Sequence, residues 1–361
     1  MSTDTIYHAI GLMSGTSLDG LDITYCRFTL SNGQWSFDIL QTQSVDYTKA
    51  YQHKLKEAIQ YNAIELLQFH NTYGTWLGER VLDFIQNHRI TTLDFVASHG
   101  HTIHHQPDMG ITYQIGSGQH LANTCQQKVI CDFRTNDVAL GGQGAPLVPI
   151  GDQLLFSDYD FCLNLGGISN ISFWEDTQRI AFDISPANML LNYACKPLHK
   201  TYDDRGTIAK SGTLNTTLLE QLNTLDYYTQ PYPKSLGYEW FVSEIIPILN
   251  TTNDSPQNIL HTAIHHIATQ IATTIKATKK ENSTLLITGG GAKNDFLIHT
   301  LSQQLQGITT VVVPATDIID YKEALLFGFL GVLRLRHETN CLSSVTGARK
   351  DSSSGVIFLP Q

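Results

Sequence analysis

Residues 10–28 read IGLMSGTSLDGLDITYCRF, and this stretch decides the fold. Apolar, strand-favouring residues flank a short run of Gly, Ser, Thr and Asp. The pattern predicts two buried strands joined by a glycine turn whose backbone N–H groups can face an anion, phosphate being the expected one. Upstream, TIYHAIGL begins the first strand, and LDITYCRFTL then WSFDILQ, separated by the hairpin signal Asn32-Gly33, supply two more. From about residue 49 to 88 the period becomes helical, with Leu66, His70, Tyr73, Leu77, Val81 and Phe84 on one face. Strands alternating with helices predict an α/β sheet.

A second strand–glycine–strand unit, FCLNLGGISNISFW (161–174), is followed by RIAFDIS and repeats the plan of the first without its residues. An internal duplication is expected, with two similar lobes and a ligand cleft between them. Farther on, Ile264, Ile267, Ala268, Ile271 and Ile275 mark a helix. STLLITGGGAKNDFLIHTL (283–301) reads as a buried strand, a triple-glycine turn and a helix whose N-terminus suits an anion or nucleotide. TTVVVP is a further strand and YKEALLFGFLGVL a further helix.

The 361 residues are long enough for two domains with real cores. Lys and Arg number 23 against 33 Asp and Glu, a net charge of −10 that argues against a nucleic-acid or anionic-membrane partner and for a small one. The first residues, MSTDTIYHAIG, carry no basic segment followed by an apolar run, so no secretory signal is expected. The apolar run ALLFGFLGVL (324–333) is about half of the ~20 residues a membrane span needs. A cytoplasmic protein is expected, and the six scattered cysteines, with no CxxC pair, are expected to be reduced and structural.

Familiar signatures fail one by one. GTSLDGLD has Gly15 and Gly20 at the spacing of a phosphate-binding P-loop, but Leu21-Asp22 stand where Lys-Ser/Thr is required. GGGAKN has Asn294 in place of the last glycine of a dinucleotide fingerprint. A serine-hydrolase elbow needs a second glycine after Ser17 and a helix beyond it, whereas a strand pattern follows. In SHGHTIHHQP (98–107) no carboxylate accompanies His101, His104 and His105 as in a zinc motif, so these histidines are expected to be polar residues lining a cleft.

Two segments stay open on residues alone. DFRTNDVALGGQGAPLVP (132–149), with Asp132, Arg134 and Asp137, is either a crossover facing a cleft or a surface loop with a solvated ion pair. Asp183, at the end of the short strand in AFDISPANML, is either a general base or a helix cap.

Taken in order, GLMSGTSLDGLD, ASHGHTIHHQP, QIGSG, DFRTNDVALGGQGAPLVP, NLGGISNIS, FDISPAN, ITGGGAKN, EALLFG and SVTGA resemble the motif set of the anhydro-N-acetylmuramic acid kinases along nearly the whole chain. The resemblance implies a two-lobed actin-like ATPase fold with duplicated mixed-sheet cores, and we divide the chain at 1–137 and 138–361, the last helix packing back on the first lobe. It implies ATP and Mg²⁺ as cofactors and hydrolytic opening of a 1,6-anhydro sugar with phosphorylation of O6, giving N-acetylmuramic acid 6-phosphate in cell-wall recycling. It implies Asp183 as the catalytic base. Gly15, Thr16, Ser17, Leu18, Asp19, Gly20, Leu21, Asp22, Gly166, Gly167, Gly289, Gly290, Gly291 and Asn294 are expected at the nucleotide. Asp19 and Asp22 are expected to hold the metal through water. His99, Gly100, Gln143, Asn188 and Glu323 are expected at the sugar, Glu323 suiting equally the favourable charge of a helix start, and a homodimer is compatible with the family.

The match departs at Ile184, Ser185 and Ala187, where FDTGPGN is usual, at Tyr238 where an Arg is usual, and at Ser117 where an Asp is common. Loss of two glycines removes backbone freedom near Asp183, and loss of the Arg bears on recognition of the lactyl carboxylate. Two alternatives therefore stand beside the leading reading: an amino-sugar kinase with ordinary hydroxyl transfer, and a non-catalytic nucleotide or sugar sensor.

Overall fold

The computed structural model describes residues 4–15 and 18–361. Contacts divide the chain into two units, Met1–Phe156 with Tyr321–Gln361, and Ser157–Asp320.

The first unit holds β1 (Thr5–Met13), β2 (Gly20–Ser31), β3 (Gln34–Asp46), β4 (Phe95–Ser98), the two-stranded pair β5 (His101–Gln106) and β6 (Ile111–Ile115), and β7 (Val129–Cys131). The second holds β8 (Phe161–Leu165), β9 (Ile168–Glu175), β10 (Gln178–Pro186), β11 (Ser283–Thr288) and β12 (Thr309–Val312), and β13 (Val356–Phe358) returns to the first. The sheet orders are β13-β7-β4-β1-β2-β3 and β10-β9-β8-β11-β12. In the first unit β1 pairs antiparallel with β2 and β2 with β3, while β1–β4 and β4–β7 run parallel. In the second, β8–β9 and β9–β10 are antiparallel, and β8–β11 and β11–β12 parallel. The same five-stranded mixed sheet thus occurs twice. It is the duplicated core of the actin-like ATPase fold that the two strand–glycine–strand motifs foretell.

Local chemistry explains the elements. Asn32 and Gly33 both take positive φ, 51° and 81°, which a two-residue hairpin requires, and Ser31 pairs with Gln34 across it. The helical stretch expected from 49 to 88 is two helices, Lys49–Glu57 and Ala63–Asn87, separated by a single turn at Ala58–Gln60. The break is written in a capping box: the Asn62 side chain accepts from the Glu65 backbone N–H, and the Glu65 carboxylate accepts from the Asn62 N–H. The second helix buries Tyr73, Leu77, Val81 and Phe84 against the first sheet. In the second unit the helix Pro256–Ala277 buries Ile264, Ile267, Ala268, Ile271 and Ile275.

The division expected between residues 137 and 138 lies elsewhere, between Phe156 and Ser157. Asp137 is the reason: its Oδ2 accepts from the Gly144 N–H at 2.7 Å and its Oδ1 from Thr346 Oγ1 at 2.8 Å, tying the following loop and the C-terminal segment to the first unit. Phe156 then packs edge-on against Phe37 of β3. The C-terminal helix Thr316–Leu335 packs on the first unit from Tyr321 onward. A Cβ on Gly11 of β1 would lie 1.9 Å from the Ala324 carbonyl oxygen, so only glycine lets the helix backbone rest on that strand.

Candidate functional site

The duplicated topology places corresponding turns in both units. The turn 14–19 joins β1 to β2, and Gly166-Gly167 joins β8 to β9. His99-Gly100 follows β4, and Gly289–Gly291 follows the corresponding β11. These turns stand where parallel and antiparallel neighbours of the central strands diverge, the place where open α/β sheets receive ligands.

In the first unit the side chains behind these turns form two linked networks. Ser14 Oγ lies 2.7 Å from Tyr47 OH and 2.9 Å from His101 Nδ1, and Tyr47 OH lies 2.7 Å from Tyr73 OH. Burial lowers the His101 pKa to about 4, so the ring is neutral at pH 7. His99 accepts at Nε2 from Arg134 Nε and Nη2, at 3.1 and 3.0 Å. A guanidinium cannot accept, so the His99 proton is on Nδ1, which donates to Gly100 O at 3.0 Å. Burial and the neighbouring Arg134 cation hold this imidazole neutral. Arg134 Nη1 also donates to Gly144 O at 2.6 Å. Burial brings Arg134 down to about 10, which leaves it cationic, and Glu323 opposes that shift. The Glu323 surface is exposed, yet the surrounding protein desolvates its carboxyl and raises its pKa, against the pull of Arg134. Asp22 Oδ1 accepts from Ser44 Oγ at 2.6 Å, whereas Asp19 is exposed on the turn.

In the second unit one packed cluster joins the glycine turns to the strand that carries Asp183. Ala187 and Met189 donate their backbone N–H to Gly167 O, at 2.8 and 3.0 Å, and Asn188 donates its own to Gly166 O at 3.1 Å. Asn188 Nδ2 reaches Leu165 O at 3.1 Å, and a Cβ on Gly291 would meet Leu165 Cβ at 2.7 Å. Gly166, Gly167, Asn188 and Gly289–Gly291 are therefore brought together. Asp183 sits half-buried in β10 beside a bulge between Asp183 and Ser185. Its Oδ2 accepts from the Leu236 N–H at 2.9 Å, its backbone N–H donates to Lys234 O, and Tyr227 OH donates to its carbonyl at 2.7 Å. Burial raises the Asp183 pKa, partly offset by the Leu236 amide. A carboxylate fixed through one oxygen, with the other outside that bond, can accept a proton at the second oxygen.

Several expected site residues do other work. Asp183 caps nothing: the helix Asn188–Cys195 follows Ala187, which makes no side-chain cap. Asn294 is a helix cap, its Oδ1 accepting from the Leu297 N–H at 3.0 Å. Asp137 is a buried anchor and Arg134 a half-buried one, and among the described residues the solvated ion pair considered for their segment is absent. His99 has both ring nitrogens engaged within the protein. Gln143 is exposed and donates its backbone N–H to Thr346 O. Gly15, Leu18, Gly20 and Leu21 lie on the first hairpin as expected, whereas Thr16 and Ser17 fall outside the described residues. Among the described residues no group of three His, Cys, Asp or Glu side chains is arranged to hold a metal, and no helix is long and apolar enough to cross a membrane. Sequence reasoning missed Tyr47, Tyr73, Tyr227 and Leu236, whose roles depend on partners 26 to 53 residues away. No spacing signal marks such pairs.

A duplicated actin-like core with a glycine turn at the same point of each sheet is a fold class built to hold a nucleotide. Comparison with known proteins specifies the family. Residues 7–360 match the family model described as anhydro-N-acetylmuramic acid kinase. A protein of that name from Mannheimia succiniciproducens is 35% identical across 97% of this chain and 98% of its own length. Those from Hydrogenovibrio crunogenus and Francisella tularensis subsp. novicida are 33% and 32% identical over the same shares. The chain belongs to the anhydro-N-acetylmuramic acid kinase family, and it is an ATP-dependent sugar kinase.

Proposed function

We propose that the protein converts 1,6-anhydro-N-acetylmuramic acid, ATP and water into N-acetylmuramic acid 6-phosphate and ADP. Water oxygen bonds to the anomeric carbon as the C1–O6 bond breaks. The released O6 bonds to the γ-phosphorus as the bond to the β-phosphate oxygen breaks, and the net proton leaves through Asp183. One observation carries this reading: the Asp183 carboxyl, raised in pKa by burial, has one oxygen fixed by the Leu236 amide. Burial makes it a stronger base than an ordinary carboxylate once it is ionised, and the amide aims it.

The remaining residues bind and orient. Backbone N–H groups of Gly15, of residues 18–22 and of the Gly289–Gly291 turn receive the nucleotide, with Gly166 and Gly167 keeping their own turn free of side chains. Arg134 spends three of its five N–H donors on His99 and Gly144, leaving two for a substrate oxygen. In this reading His99 serves the sugar by holding Arg134, while Glu323, Gly100, Gln143 and Asn188 line the sugar's surroundings. Asp19 and Asp22 suit a magnesium ion held through water, since that ion keeps much of its hydration shell and takes its other ligands from phosphate. When bound, it would neutralise charge on the transferred phosphoryl group.

The departures around Asp183 favour no other sugar. Ile184 turns into the core, and Ser185 is occupied by Ser169, their hydroxyls 3.0 Å apart. The test is incubation with ATP, Mg²⁺ and the anhydro sugar in ¹⁸O-water, followed by mass spectrometry, beside Asp183→Asn. A phosphosugar carrying one ¹⁸O, absent from the variant, is expected. Unlabelled phosphosugar would establish ordinary hydroxyl transfer instead, and no product with any amino sugar would leave only a sensor.

A further inference from the structure

We infer that Tyr47 is a positioning residue for the first phosphate hairpin, acting from beneath it through Ser14. The inference rests on the nucleotide reading of that hairpin given above. Tyr47 immediately follows β3 and touches the turn at both of its ends. Its hydroxyl lies 2.7 Å from Ser14 Oγ, at the turn's entrance, and its backbone N–H donates to Asp19 O, at the exit, at 3.3 Å. Gln52 Nε2 adds a third anchor, donating to Leu18 O at 3.0 Å. One residue thus holds both described ends of the segment proposed to receive the anion.

The hydroxyl is itself fixed from behind. Tyr73 OH lies 2.7 Å from Tyr47 OH, and Tyr73 is fully buried. The Tyr47 ring is stacked on Tyr51 with centroids 5.7 Å apart and packs on Trp76 at 5.4 Å. Ser14 completes the chain at His101 Nδ1. Burial raises both tyrosines above their ordinary pKa, so the chain consists of neutral hydroxyls at physiological pH. The two inner members, Tyr47 and Ser14, each bond on both sides, donating in one direction and accepting in the other, and the row is buried from end to end. The aromatic packing holds the ring, and the hydroxyl alone reaches the hairpin entrance. Removing that one oxygen therefore separates packing from positioning.

The experiment is calorimetric titration of the full chain with ADP and Mg²⁺, and separately with the anhydro sugar, for the native protein, Tyr47→Phe and Ser14→Ala. Tyr47→Phe keeps the ring, and it is expected to bind ADP about tenfold more weakly, the scale of one net hydrogen bond, with sugar affinity unchanged. In turnover, KM for ATP should rise while KM for the sugar does not, and Ser14→Ala should show the same selectivity. Equal ADP affinity in native protein and Tyr47→Phe overturns the inference. So does parallel loss of both ligands with a lowered melting temperature, which is the mark of a general structural defect. If Tyr47→Phe does not fold, Ser14→Ala decides between the same outcomes. Failure of the native protein to bind ADP would instead overturn the nucleotide reading itself.

Discussion

In the proposed reaction Asp183 would join reactivity to stability through one side chain. Its carboxyl pKa is raised by burial, so the folded protein holds this proton to a higher pH than the unfolded chain does. A general base must be ionised, and the acid limb of kcat/KM is therefore expected to have its midpoint above the ordinary carboxylate value of about 4. The linkage has the opposite sign for folding. Below the unfolded pKa both states are protonated and nothing is lost; as pH rises through the folded value, the native state carries the full cost of a desolvated charge. Asp183→Asn keeps an oxygen for the Leu236 amide and removes that charge. It is expected to abolish turnover yet raise the melting temperature at pH 7, by roughly 1–3 °C on the usual scale, with the gain vanishing near pH 3. A gain over the native protein no larger at pH 7 than at pH 3 would show that the carboxylate carries no desolvation cost.

At the scale of elements, the glycine turn after β11 separates two uses of glycine. Gly289 has φ of +81°, and a Cβ there would meet Asn164 Oδ1 at 2.5 Å and the Leu165 carbonyl carbon at 3.0 Å. The turn and the end of β8 could not both keep their places. A Cβ on Gly290 would meet only Asn188 Nδ2, at an ordinary 3.7 Å. Gly289→Ala is expected to cost about 1–3 kcal/mol in denaturant unfolding and to weaken ADP binding with it. Gly290→Ala is expected to leave stability within about 0.5 kcal/mol while still weakening ADP, because its Cβ intrudes only on the space for ligand. Equal destabilisation by the two would mean that the turn is shaped by something other than this contact.

For the whole molecule, the two cores are separate. The first draws on the sheet and helices of residues 10–131, and the second lies wholly within residues 161–319. The second unit is also a continuous segment, Ser157–Asp320, whereas the first needs both ends of the chain. A fragment of residues 157–320 is expected to fold alone, with a cooperative thermal transition and dispersed NMR amide signals. A molten fragment without such a transition would mean that its core needs the rest of the chain.

The sequence by itself determined the local grammar of this protein. The glycine turns, the Asn32-Gly33 hairpin, the two strand–glycine–strand units and the apolar faces of the helices were all legible, because each depends on neighbours within about one turn or one strand pair. The ordered motifs carried the family in the same way. What only the tertiary structure decided were relations between distant residues. Taken alone, Asp183 read more readily as a helix cap than as a base; the fold instead sets its carboxylate on the Leu236 amide and its carbonyl on Tyr227, away from the N-terminus of the helix that follows. The segment around Arg134 read equally as a cleft crossover or a surface ion pair until His99 and Gly144 were found on the guanidinium. The unit boundary moved to Phe156 because Asp137 binds residues on both sides of it in sequence, Gly144 and Thr346. Backbone propensity acts over a few residues, whereas burial, pKa and side-chain pairing are set by whatever the fold brings within 3 or 4 Å, and sequence separation does not encode that.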